Sequence, residues 1–195
     1  MVNWLSNNFD LVLEIVAVIF GIAYVLLAAK NKISCWIFGI IGSALSIFLF
    51  IFYAKLYAES VLYLFYVFAG VYGWINWKNQ KDNHQVFQHK LKTHLFIIIG
   101  GTIATLLFYF TMTYFFSGAK KPLTDSFTTI FSFIATYLTT KKRIENWIYW
   151  VVIDAVTTYL YYSRGLEIYS LLMLSYSFIA IYGYLKWKKL DVVKL

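Results

Sequence analysis

The segment Lys30–Lys78 is written a second time as Lys141–Lys188, and this duplication constrains the fold more than any other feature of the 195-residue chain. Trp36-Ile37 aligns with Trp147-Ile148, Leu56 with Leu166, Leu62 with Leu172, Tyr66 with Tyr176, and Tyr72-Gly73 through Trp77-Lys78 with Tyr182-Gly183 through Trp187-Lys188. The offset is 111 residues early in the repeat and 110 later, so one residue separates the copies. Self-similarity on this scale means that one supersecondary unit is used twice. In an apolar chain it points to a transporter built from two related parts.

Hydrophobic residues fill 61% of positions and charged residues 13%, a balance that a water-soluble core of this size could not shelter. Seven apolar runs follow one another: Leu11–Ala29, Ile33–Tyr53, Ala58–Trp77, Leu95–Phe116, Ser126–Thr140, Trp147–Tyr162 and Ile168–Leu185. Most approach the ~20 residues that a helix needs to cross hydrocarbon, and none shows the strict alternation of a membrane barrel strand. An all-α membrane protein with seven transmembrane helices is therefore expected. Of the 17 Lys and Arg, 13 fall in loops on one side of such a topology, among them Lys30, Lys78, Lys141, Arg143 and Lys188, and four on the other, Lys55, Lys120, Lys121 and Arg164. The richer side is expected to be cytoplasmic, which puts the amino terminus outside and the carboxyl terminus inside. The formal charge of +8 is then an attraction to the anionic lipid bilayer, and no basic stretch carries a nucleic-acid motif. The first run lacks a basic n-region and a small-residue cleavage pattern, so it reads as a retained helix. The lone Cys35 permits no internal disulfide.

Three crossings per copy would turn two directly joined copies in opposite directions, yet the basic loops of the copies match. An extra crossing restores parallel orientation, giving a single membrane domain in a 3+1+3 arrangement: a first repeat over 10–78, a linker helix over 94–116 and a second repeat over 124–189. The polar segment Asn79–His94 holds His84, His89 and His94 beside Lys90 and Lys92, without a compact ligand set, so it reads as a solvated loop with no metal. Pro122, the sole proline, is expected in the loop before the fifth span. Cofactor motifs are absent, and association into a homo-oligomer is left open by the sequence.

Charged groups in the spans are few, and an ionisable side chain in hydrocarbon costs about 2.5–3.5 kcal/mol on the insertion scale, so each one is informative. Asp154 stands out, sharing a helix face with Trp147 and Trp150 by spacings of three and four. Span three carries a stripe of Glu59, Tyr63, Tyr66, Gly70, Gly73 and Trp77, answered in the second copy by Tyr169, Met173, Tyr176, Ala180, Gly183 and Trp187. The small residues allow close helix approach or leave room for a ligand ring. Thr128, Ser132, Ala135 and Thr139 form one face of span five, and Gly39, Gly42 and Ser46 one face of span two. Tyr and Trp around a carboxylate, with no deep Lys or Arg, favour a flat cationic or polar aromatic ligand and disfavour phosphate. An intramembrane enzyme using Asp154 or Glu14 would need a second catalytic group at helical spacing, and Asp154 has none on its own span.

Leu56-Tyr57-Ala58 followed by Tyr72-Gly73-Trp74 and Trp77, and Glu145-Asn146-Trp147 followed by Trp150 and a polar residue at 154, resemble the PnuC family of bacterial vitamin-precursor transporters. The resemblance covers essentially all seven spans. It implies a fold like that of SWEET sugar carriers, an inner-membrane location, and uptake of nicotinamide riboside by facilitated diffusion, with substrate held near mid-membrane between the two three-helix units and exposed alternately. Substrate-binding roles then fall to Trp147, Trp150 and Asn146 of the matched run, to Asp154, and to Tyr63, Tyr66, Gly70 and Tyr176. Nicotinamide riboside carriers of the family usually have Asn at position 154, commonly Gln at 63, and in some cases Asn at 70. These departures keep the thiamine-carrying PnuT branch open as an alternative, since a site built for specific hydrogen bonds discriminates strongly.

Overall fold

The computed structural model describes residues 9–54, 57–80, 84–115, 121–165 and 167–195. Lys55, Lys81 and Lys120, the Leu56–Leu166 pair and the side chain of Glu59 lie outside what is described. Among the described residues seven α-helices are formed: α1 (Phe9–Ala29), α2 (Cys35–Leu49), α3 (Tyr57–Lys78), α4 (Leu91–Phe115), α5 (Pro122–Thr140), α6 (Asn146–Ser163) and α7 (Glu167–Trp187). Pro122 is the first residue of α5 rather than part of a loop, where its missing N–H costs nothing. Leu11–Ala29, Cys35–Tyr53 and Leu91–Phe115 are each long and apolar enough to cross a membrane. Helices α5, α6 and α7 hold more Tyr, Thr and Ser, and they still expose Leu123, Tyr159, Leu171 and Phe178, as α3 exposes Phe68. The chain divides into two compact units, one ending at Asn83 and the other beginning at His84.

The repeat extends to individual hydrogen bonds. At the end of α1, Asn31 takes the left-handed conformation (φ 53°), and at the end of α5 so does Lys142 (φ 49°). The Asn31 and Lys32 N–H groups reach back to Ala28 O and Leu27 O, each at 2.9 Å, while Lys142 and Arg143 reach Thr139 O at 3.0 Å and Leu138 O at 2.9 Å. Such a cap satisfies helix-end carbonyls and offsets the roughly 1–2 kcal/mol that a side chain pays in this conformation. The chain then turns back through the Cys35 N–H to Lys32 O and the Asn146 N–H to Arg143 O. Even mid-helix, the Ser46 hydroxyl donates to Gly42 O (3.0 Å) and the Thr157 hydroxyl to Ile153 O (2.8 Å), again at matched positions.

The one-residue difference between the copies has a structural form. After Leu49 the first copy passes through a π-helical turn, Phe50–Ala54, where the second copy continues as α-helix to Ser163. A π-turn absorbs an extra residue without ending the helix. The alignment changes from 111 to 110 within the interval that contains it.

The same tryptophan lock closes each unit. A Cβ on Gly73 would collide with the Trp36 ring, and a Cβ on Gly183 would lie 2.7 Å from Trp147 Cδ2. Trp36 meets Trp77 edge-on at 5.4 Å, and Trp147 meets Trp187 edge-on at 5.5 Å. Both indole Nε1 atoms, of Trp36 and of Trp147, are buried without an acceptor. An unmade hydrogen bond costs about 1–3 kcal/mol, so ring burial outweighs polar satisfaction at both places.

The polar segment after α3 differs from the solvated loop its sequence implies. Strand β1 (Gln85–Gln88) pairs in parallel with β2 (Asp191–Lys194), and Phe87 also bridges to Arg143. Val86 is fully buried beneath them. The segments 84–90, 141–145 and 188–195 are thus joined at one end of the second unit's helices.

Gly183→Ala and Gly73→Ala should each destabilise by about 1–3 kcal/mol through overpacking, lowering Tm by several degrees. Gly100→Ala, with nothing within 4 Å of the added methyl, should leave Tm unchanged or higher. Thermal unfolding of the three purified variants checks this.

Candidate functional site

Helix α6 carries four of the candidate residues, and the elements beside it fix their directions. Asn146 opens the helix and is completely buried. Its amide donates to Arg143 O at 2.6 Å, and its Oδ1 accepts from the Thr139 hydroxyl at 3.1 Å. That bond ties the last turn of α5 to the first turn of α6. The first copy has Ala28 and Cys35 at these two places, so a hydroxyl–amide pair belongs to the second copy by residue type.

Trp147 and Trp150 do not look in one direction, although their spacing puts them on one side of the helix. Trp147 lies against Gly183 of α7, whereas Trp150 packs toward α5 on the cluster of Phe131, Ala135 and Ile153. Phe131 also stacks on Tyr149 with centroids 6.4 Å apart and planes 21° from parallel. Trp147 is 2% exposed, while Trp150 is only partly buried and keeps part of its ring accessible.

Asp154 sits one turn beyond Trp150 and is 6% exposed. Among the described residues no side chain donates to its carboxylate and no cation pairs with it. Helices α5 and α6 contain no Lys or Arg, and in α7 the one basic residue is Lys186 in the last turn. Contacts at both ends of the α6–α7 pair give the register: Trp147 meets Gly183, and Thr158 O accepts from the Ser170 hydroxyl at 3.0 Å. Asp154 therefore stands level with the turn of α7 that runs from Met173 to Ser177, which includes Tyr176. Ser177 is buried with no partner for its hydroxyl, unlike Ser175, which returns its own to Leu171 O at 2.8 Å.

The polar face expected on span five is largely buried, with Ser132, Ala135 and Thr139 inside and Thr128 partly so. In the first unit Tyr63 and Tyr66 meet edge-on at 5.7 Å, and Tyr63 also meets Phe50 of the π-turn at 5.2 Å. The space beside Gly70 is filled by Ile40, whose Cγ1 is 2.7 Å from where a Cβ would be, so this glycine serves close helix approach. At the other end of α5 and α6, Asp125 accepts both contacts of Arg164 at 2.8 and 3.0 Å. Three features escape the unaided sequence: the buried, unpartnered hydroxyl of Ser177, the Thr139–Asn146 tie, and the division of labour between the tryptophans. Superposing the two copies is the signal for the first, because Ser177 and Asp154 replace Val67 and Ser43.

A family model described as nicotinamide mononucleotide transporter matches residues 11–189. The chain belongs to this transporter family. Curated relatives include the nicotinamide riboside transporter PnuC of Escherichia coli, 27% identical over 213 residues spanning 93% of this chain and 87% of the relative. The PnuC of Haemophilus influenzae is 29% identical over 185 residues, spanning 91% and 80%. The crystal structure of the vitamin B3 transporter PnuC shares the fold, with a TM-score of 0.74 over 96% of this chain and 85% of that one, at 24% identity. Membership in the PnuC family agrees with the resemblance of the Glu145-Asn146-Trp147 run, and it makes the chain a membrane transporter.

Asn146→Ala removes the tie across the corner and should cost about 1–2 kcal/mol of stability. A Tm indistinguishable from that of the parent would show that the Thr139–Asn146 bond holds nothing.

Proposed function

We propose that the chain carries a dephosphorylated vitamin precursor, nicotinamide riboside first, across the bacterial inner membrane by facilitated diffusion with alternating access. The observation that supports this most is the buried Asp154 carboxylate without a protein partner among the described residues. A carboxylate withdrawn from water is costly until a cation joins it. The pyridinium ring of nicotinamide riboside is such a cation, and it is flat enough to lie on the accessible face of Trp150. Trp147 acts from behind, fixing through Gly183 the angle at which α6 offers Asp154, and Asn146 secures the start of the same helix. Ser177 and Tyr176 supply hydroxyls at the same level for the ligand's own polar groups. Tyr63, Tyr66 and Gly70 form the corresponding stripe of the first unit.

The family description names the mononucleotide and the curated relatives the riboside, and charge favours the riboside. A phosphate would bring negative charge toward Asp154, with no Lys or Arg in the interior of α5, α6 or α7 to receive it. The matched basic loops, with one extra crossing at α4, support two parallel three-helix repeats in a 3+1+3 order. The joining of β1, Arg143 and β2 at one end supports a single membrane side for three of those loops. Their basic content makes that side cytoplasmic, with the amino terminus outside. Thiamine is the second reading, favoured by Asp154, Tyr63 and Gly70 standing where nicotinamide riboside carriers usually differ.

Calorimetric binding to the purified protein tests this. Nicotinamide riboside or thiamine should bind, and nicotinamide mononucleotide should bind at least tenfold more weakly than the riboside. Asp154→Asn should weaken the cationic ligand by about 10- to 100-fold and Ser177→Ala by up to about tenfold. Equal affinity for riboside and mononucleotide, or an Asp154→Asn protein with parental affinity, would overturn the assignment.

A further inference from the structure

The second unit carries a cluster of titratable groups that the ligand site does not use, built on residues that the first copy does not share at the aligned positions. Glu145, just before α6, is 6% exposed. One of its oxygens accepts the His89 backbone N–H at 2.6 Å and lies 3.0 Å from His94 Nε2. The second of these is a close approach rather than an aligned hydrogen bond, since His94 Nε2 has no bonded partner. The His94 ring turns its Nδ1 to the Tyr149 hydroxyl at 3.1 Å, so one imidazole spans Glu145 at the cap of α6 and Tyr149 in its first turn. Beside them Arg143 lies over the Phe87 ring at 5.1 Å, and Tyr137 of α5 faces the same guanidinium. Burial, and then Arg143, hold the His89 imidazole below its ordinary value, with Glu145 opposing. At the equivalent positions the first copy has Ser34 for Glu145, Phe38 for Tyr149 and Lys32 for Arg143.

We propose that Glu145 is a positioning residue that clasps the start of α4 to the start of α6, so that the linker helix moves as part of the second repeat rather than as a free connector. Two observations independent of the clasp fit this. Strand β1, three residues before α4, sits between β2 and Arg143 and so is held on both sides. Further along, Gly101 of α4 packs directly on Phe131 and Ile134 of α5. The clasp lies at the opposite end of α6 from the Asp125–Arg164 pair and, among the described residues, makes no contact with Asp154, so it acts on the motion of the helices rather than on that carboxylate. Conformational steps of this kind set turnover in many carriers and enzymes.

The transport half of this proposal rests on the carrier reading, and the structural half does not, so two readouts separate them. Hydrogen exchange of the full-length protein in lipid nanodiscs reports the clasp, and uptake and binding of nicotinamide riboside report its use. Glu145→Ala should speed exchange at Val86–Gln88 and Val192–Lys194 at least tenfold and cut turnover severalfold, with ligand affinity within twofold of the parent. Glu145→Gln, which keeps a carbonyl acceptor for His89, should restore both. His94→Leu, which keeps the His89 bond, should give intermediate exchange and decides the matter if Glu145→Ala does not fold. Parental exchange in the loosened variants overturns the clasp. Faster exchange with unchanged turnover, or affinity falling as far as turnover, overturns its role in transport.

Discussion

Two indole rings, each laid on a glycine of the next helix and closed edge-on by a second tryptophan, hold the two halves of this chain in shape. Trp36 on Gly73 fixes α2 against α3, and Trp147 on Gly183 fixes α6 against α7. Lipid gives no hydrophobic drive for helices to associate, so close packing of this sort must supply much of what holds them. The chain accepts a buried N–H without an acceptor in both copies to keep it. The angle of α6 against α7 is set by this contact.

Much of the architecture is legible in the sequence because lipid demands long apolar helices and because duplication repeats its own packing residues. The seven runs agree with the seven helices to within a few residues at most ends. The Trp and Gly positions that align in the repeat are the ones that lock. The π-turn is only half legible: the change of offset announces an extra residue, but not whether a loop or a helix absorbs it. Strand β1 is illegible, since Gln85-Val86-Phe87-Gln88 is too short and too polar to carry a period, and its partners lie far away in sequence. The tryptophans show the limit of periodicity. A spacing of three assigns Trp147 and Trp150 to one side of α6, yet that side borders two neighbours, and only packing decides which ring meets which.

The copies diverge where function would need them to. Backbone caps, hydroxyl bonds and the tryptophan lock are shared, while Asp154, Ser177, Glu145 and Tyr149 replace Ser43, Val67, Ser34 and Phe38. A duplicated frame thus acquires one polar half. That half holds a buried carboxylate and an orphaned hydroxyl at one level of the α6–α7 pair, and at its end a clasp that binds the linker helix. Duplication accounts for the shared packing, and the proposed chemistry lies where the copies differ.

The most direct measurement compares nicotinamide riboside with its reduced dihydro form, which keeps the size and hydroxyls but loses the ring charge. If Asp154 recognises an organic cation, the oxidised ligand binds the purified protein at least tenfold more tightly than the reduced one. Equal binding, or tighter binding of the neutral form, would contradict the account.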